Sequence, residues 1–183
     1  MVFHTGQLLV ATPSLVDPNF ARVVIFLLDH DDDGALGVVI NRPSELPLVA
    51  VLPSWAGAVS DPSLLFTGGP VAQDSALAIG LSMGSGPQTG FKQLIGEYGL
   101  VDLDIAPAEL TPDLAGVRIF SGYAGWSPGQ LEAEITEGSW YVVGTMARDL
   151  LDPEPGALWR TVLRRQPGEL AYLATLPDDP TMN

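Results

Sequence analysis

Through its first two-thirds the chain is built from short apolar runs cut by turn residues, and helix-spaced apolar positions dominate only near its end. Leu8-Leu9-Val10-Ala11 is one such run, stopped by Thr12-Pro13. Arg22 to Leu28 is almost continuously apolar, the pattern of a strand buried on both faces. The polar turn Asp29 to Gly34 follows, and Leu36 to Ile40 resumes the strand, so the two runs predict a hairpin. Asn41-Arg42-Pro43 ends it. Upstream, Asp17-Pro18-Asn19-Phe20 is a turn whose aromatic plugs the core. Pro47 to Leu52 predicts a short helix, residues 55–63 a loop, and Leu64 to Thr67 a strand running into Gly68-Gly69-Pro70.

Farther on, Ser75 to Leu81 is strand-like, and the Gly/Pro-rich stretch 82–90 is a flexible loop. Leu100 to Ile105 alternates, as in an edge strand with its acids in solvent. Val117 to Phe120 is a strand, and Ser121 to Trp126 reads as a tight turn of glycines and aromatics. A helix start follows, with Ser127 as N-cap, Pro128 as first helical residue and Gln130 as capping-box partner; Gly138 stops it before the strand Trp140 to Val143. An amphipathic helix spans Glu154 to Arg165 with Leu158, Trp159, Val162 and Leu163 inward, and Glu169 to Ala174 adds a turn or two. Hairpin-paired strands with helices gathered later predict an α+β fold. One domain covers residues 1–183, with 177–183 as a loose tail.

Charge narrows the function classes. The chain carries 22 acidic and 8 Lys/Arg residues, a net −14. Direct duplex binding needs clustered cations, and the one concentration is Arg148, Arg160, Arg164 and Arg165, of which Arg160 and Arg164 share a helix face. Direct nucleic-acid binding is therefore not expected. With 0 cysteines there is no disulfide, thiolate metal site or cysteine nucleophile. No apolar run is long enough to span a bilayer, and the N-terminus lacks the basic and apolar regions of a secretion signal. The expected location is cytoplasmic.

Several motifs fail on their spacing. Asp29-x-Asp31-x-Asp33-Gly34 copies the start of a calcium loop, but its twelfth position is Ile40 instead of a bidentate glutamate. Gly80-Leu81-Ser82-Met83-Gly84 matches a nucleophile elbow, yet Ser85-Gly86-Pro87 cannot open the required helix. Neither phosphate-loop pattern is present. With His4 and His30 as its only histidines and no paired-histidine spacing, the chain calls for no metal and no cofactor.

The most informative segment is Ser121-Gly-Tyr-Ala-Gly-Trp-Ser-Pro-Gly-Gln-Leu-Glu132, where a Gly/aromatic turn meets a helix start whose free amides suit an anion or carboxylate. It contains no evident nucleophile. Together with Gly6 to Pro13, Asp17 to Phe20, His30, Gly34 to Pro43, Phe66 to Val71, Trp140 and Trp159, it resembles the AlgH/YqgE-type family of small bacterial proteins, with the motifs in family order over nearly the whole chain. The resemblance implies an antiparallel, bifurcated sheet curled into a pseudo-barrel with flanking helices. Family members are often labelled transcriptional regulators.

The family's motif positions carried over as candidate ligand-binding residues are His30, Asn41, Arg42, Gly68, Gly69, Pro70, Gly122, Tyr123, Gly125, Trp126, Gln130 and Glu132. As one cleft they make chemical sense: glycines admit close backbone approach, Tyr123 and Trp126 offer flat faces, and Arg42 pairs with Glu132 or with an anion. The expected function is a non-enzymatic binding or regulatory domain for a small anionic ligand or protein partner, affecting transcription indirectly. The alternatives are an enzyme acting on a small anionic substrate through His30, Arg42 and Glu132, and a direct DNA-binding regulator.

Overall fold

A computed structural model describes residues 2–84, 88–110 and 114–178 of the 183-residue chain. Its strands are β1 (Leu8–Ala11), β2 (Val24–Asp31), β3 (Gly34–Val39), β4 (Pro43–Pro47), β5 (Leu64–Thr67), β6 (Val71–Ser82), β7 (Phe91–Ile95), β8 (Tyr98–Val101), β9 (Leu114–Trp126) and β10 (Trp140–Val143). The helices are α1 (Leu48–Val51), α2 (Gln130–Thr136), α3 (Leu158–Arg164) and α4 (Leu170–Leu173). The fold is α+β: a curled, predominantly antiparallel sheet forms a half-barrel, with the few helices around it.

Strand β9 divides the sheet. One edge pairs antiparallel with β6; the other meets β5 in parallel at Phe120 and Ser121, then β3 antiparallel from Ala124 to Trp126. The β2–β3 hairpin turns at Asp31↔Gly34. Its continuous apolar run is explained by burial on both faces. Val24, Phe26 and Leu28 join the cluster under α3, whereas Ile25 and Leu27 join the one under α2. On α3, Leu158, Trp159, Val162 and Leu163 are all buried; each such side chain contributes about 1.5–3 kcal/mol on leaving water. A third cluster gathers Leu48, Trp55, Ala78, Val101, Val117 and Ile119, so a loop residue, Trp55, is core.

Several sequence expectations change: strand β4 is an addition, and the helix expected from Glu154 begins at Leu158 after a tight turn at Pro155–Ala157. Ser121 to Trp126 is strand, not turn: its Gly122 serves close packing where the sheet splits. The alternating segment Leu100 to Ile105 leaves the sheet after Val101, because Asp102 accepts the Asp104 amide at 2.9 Å and bends the chain. The β7 strand is unforeseen, and its hairpin with β8 turns through Gly96, at φ 55°. Of the stretch 82–90, residues 85–87 lie outside the described residues. At the centre of the elbow motif, the buried Ser82 hydroxyl accepts from Gln88 Nε2 at 2.5 Å and from the Gly84 amide at 3.3 Å.

Candidate functional site

The β2–β3 hairpin sorts the candidate residues to its two ends. At the open end, where β3 finishes, Asn41 is buried and acts as a piece of backbone. Its Oδ1 accepts the Val24 amide at 2.9 Å, and its Nδ2 donates to the Arg22 carbonyl at 2.9 Å. Next to it, Arg42 donates to the carbonyls of Pro18, Asn19 and Ala21 at 2.9, 2.8 and 2.9 Å. The turn foreseen at Asp17 to Phe20 is thus bound to the hairpin by one guanidinium. Burial pulls that group below its ordinary pKa, with Asp17 opposing.

Gly68 and Gly69 lie against β9. A Cβ on Gly69 would stand 2.1 Å from the Tyr123 carbonyl carbon, and one on Gly68 would stand 2.3 Å from the Gly122 oxygen. Gly122, at φ 72°, faces the carbonyl oxygens of Gly69 and Val71 in return. These glycines admit one strand to another. Pro70 is exposed beside them, and with Arg42, Gly69 and Gln73 it edges a recess of only about 30 Å³.

The turn end holds a different set. His30 is buried, and its Nδ1 accepts the His4 amide at 3.1 Å. That fixes the tautomer: Nε2 carries the proton and donates to Glu132 Oε1 at 3.1 Å. Both ring nitrogens are then engaged, and no lone pair remains for a substrate proton. Phe3 packs edge-on at 5.4 Å and the His4 ring lies at 5.6 Å, so the N-terminal segment covers the imidazole. The Glu132 carboxyl is held below the usual carboxylate range, first by its own backbone amide and then by His30.

Trp126, buried at the end of β9, packs edge-on against Trp140 at 6.2 Å. Both indoles donate to Glu134 Oε2, at 2.9 and 2.8 Å, while Gln130 Nε2 donates to Glu134 Oε1 at 3.0 Å. Gln130 also accepts the Ser127 amide at 3.0 Å, half of the foreseen capping box, although Gly129 takes the cap position. The amide offered to an anion is therefore filled from within, and α2 has only 7 residues. Gly125 is exposed, and the half-buried Tyr123 packs against the cluster under α3.

Arg42 and Glu132 do not meet. From Val24, which Asn41 bonds, to His30 is six residues along β2, about 20 Å at roughly 3.3 Å per residue. Beside Trp126, Asp29, Asp31 and Asp33 rim a recess of about 240 Å³. Among the described residues no group of three or more His, Asp or Glu is arranged to hold a metal ion.

Two residues that sequence reasoning did not single out prove central. Glu134 gathers three donors; its signal was the i, i+4 spacing from Gln130. Arg118, the lone cation in an apolar strand run, is buried and ties down the carbonyls of Leu150, Asp152 and Asp61 at 2.9, 3.0 and 2.5 Å. Its guanidinium lies over Phe66 at 4.3 Å, and burial lowers its pKa to about 10 against the opposing pull of Asp152.

Two of the four arginines of the foreseen basic concentration are paired. Arg165 grips the buried Asp149 with two bonds of 2.6 Å, and Arg160 bonds Asp178 at 2.7 Å. Pro177 and Asp178, the first residues of the expected tail, are held by arginines; residues 179–183 lie outside the described residues. No helix among the described residues is long and apolar enough to cross a membrane.

Comparison with known proteins places these features. The AlgH-like family profile matches residues 8–171. A UPF0301 protein of Streptomyces coelicolor is 52% identical over 183 residues, covering 98% of this chain and 95% of that protein. One from Thermobifida fusca is 48% identical over 188 residues, covering 98% and 95%. Among solved structures, a Corynebacterium diphtheriae protein superposes with a TM-score of 0.88 at 33% identity, covering 94% of this chain and 92% of that one. The AlgH protein of Pseudomonas aeruginosa gives 0.71 at 30% identity, covering 97% and 96%.

Proposed function

Since the chain belongs to the AlgH-like family, we propose that it is a non-enzymatic binding domain which acts in regulation through a protein partner carrying a basic segment. The observation that carries this reading is the recess beside Trp126, at the end of the Gly-Tyr-Ala-Gly-Trp motif, rimmed by Asp29, Asp31 and Asp33. Three carboxylates favour a cation there, which reverses the charge of the small anionic ligand expected from sequence. Long-range attraction from a surface of net −14 adds to the encounter rate with a basic partner.

Support also comes from what the polar residues are occupied with. Asn41 and Arg42 hold backbone, Glu134 holds two indoles, and both nitrogens of His30 are engaged. An enzyme built on His30, Arg42 and Glu132 needs all three within hydrogen-bond reach of one substrate, and about 20 Å of strand between them weighs against it. Arg165 is neutralised by the buried Asp149, which weighs against direct DNA contact and in favour of an indirect effect on transcription.

The test is titration of the protein with an arginine-rich and a glutamate-rich peptide at low and high salt, followed by calorimetry. The arginine-rich peptide should bind, weaken steeply with salt, and lose most of its affinity in the D29N/D31N/D33N variant. Equal affinity of that variant and the native chain would sink the proposal.

A further inference from the structure

A second cavity, lined in part by Arg22, lies away from the Trp126 recess. Pro13, Leu15, Val16, Leu176 and Pro177 enclose about 310 Å³ of mostly apolar space, with Arg22 and Asp178 at its edge. That volume falls at the lower end of the range for small-molecule sites, roughly 300–1,000 Å³. Two guanidiniums converge on a single carboxylate oxygen there: Arg22 Nη1 at 3.2 Å and Arg160 Nη2 at 2.7 Å from Asp178 Oδ1. Two of the chain's 8 Lys and Arg residues thus meet at one point. Both lie against Trp159, 4.7 and 5.9 Å from its ring.

Arg22 also sits at φ 57°, a left-handed conformation that a non-glycine residue keeps only when its surroundings hold it. Asn41, bonded to the Arg22 carbonyl, does so. The guanidinium is presented from a fixed backbone. Its carboxylate partner is not comparably fixed, because the Asp178 side chain is 86% exposed and exposed ion pairs hold weakly.

We propose that Arg22 and Arg160 form a carboxylate-binding site at the mouth of this cavity, that Asp178 is its tethered and displaceable occupant, and that the ligand is a monocarboxylate with a compact apolar body. Such a ligand repeats the ion pairs of Asp178 and adds burial in the cavity, which strengthens binding about fourfold per methylene. Tethering gives Asp178 a local concentration that the ligand has to exceed. The site is separate from the acidic recess and does not depend on the reading given to it.

Calorimetric titration of the full chain with octanoate tests this, with octanol and inorganic phosphate as probes of the apolar body alone and the charge alone. Octanoate should bind; D178N, which removes the competitor, should bind it about tenfold more tightly. R160Q should bind at least about tenfold more weakly, through loss of a charge-assisted bond. R160Q keeps the test open if the equivalent change at the strained Arg22 prevents folding. Unchanged octanoate affinity in D178N and R160Q, or octanol or phosphate binding as well as octanoate, would overturn the proposal. The D29N/D31N/D33N variant should take octanoate normally, so failure of this site and failure of the peptide recess are told apart.

Discussion

At the Asn41 end of the β2–β3 hairpin, polar side chains replace backbone: Asn41 completes the strand pairing, Arg42 secures a turn, and three glycines let β9 pass within van der Waals distance of the β5–β6 connection. At the Asp31–Gly34 end, polar side chains pair with one another. His30 bonds Glu132, Glu134 bonds two tryptophans and a glutamine, and three aspartates face solvent. The first arrangement spends its polar groups on backbone, and its glycines tolerate no added atom. The second keeps charge at the surface. Motif residues thus hold backbone at one end and bond one another beneath exposed charge at the other.

The strongest challenge to this contrast is Gly69→Ala. A methyl 2.1 Å from the Tyr123 carbonyl carbon and 2.5 Å from the Ala124 amide nitrogen forces the strands apart, at a cost of about 3 kcal/mol or more, read as a lower midpoint in guanidinium unfolding. A midpoint close to native would show that the crossing is looser than described. Asn41→Ala strips one buried and one partly buried backbone group of their partner and should cost about 2 kcal/mol by the same measurement.

At the other end the effects are smaller and depend on pH. Glu132→Gln preserves an acceptor for His30 and removes only the charge. Since the Glu132 carboxyl titrates below its ordinary value of 4.5, its contribution is complete above that value and lost as pH falls through the lower folded value. The melting temperature of the variant should sit slightly below native at neutral pH and converge with it in acid. A gap that persists in acid would mean that the charge is not what matters. Gly125→Ala should do least: its nearest neighbour would be Tyr123 Cε2 at 3.6 Å, so the change should stay within about 0.5 kcal/mol. A large loss there would erase the distinction among the motif glycines.

How far sequence carried these conclusions depended on the range of the interaction. β1, β5, β10 and α1 follow from local apolar runs and their stops, and the four inward residues of α3 follow from helical spacing. Gly122 misled because glycine signals a turn locally, whereas here it answers to Gly68 and Gly69, more than fifty residues away. The pairing imagined for Arg42 and Glu132 failed for the same reason. Both belong to family motifs, but only the hairpin's length reveals that they lie at opposite ends of it. Arg118 and Glu134 were missed because their partners are carbonyls and indoles brought in by distant segments.

Strand β9 has a consequence for how the molecule is made. It is the one strand that pairs with β3, β5 and β6, and it reaches completion only at residue 126 of the chain. During synthesis, everything before it emerges as hairpins with an open edge, and β1 waits longer still for β10. Closure late in translation leaves those edges to be shielded in the interval, and rejoining them across so much sequence makes refolding slow for a domain of this length. The shared strand that lets one sheet fork also makes the two branches a single cooperative unit, gained or lost together.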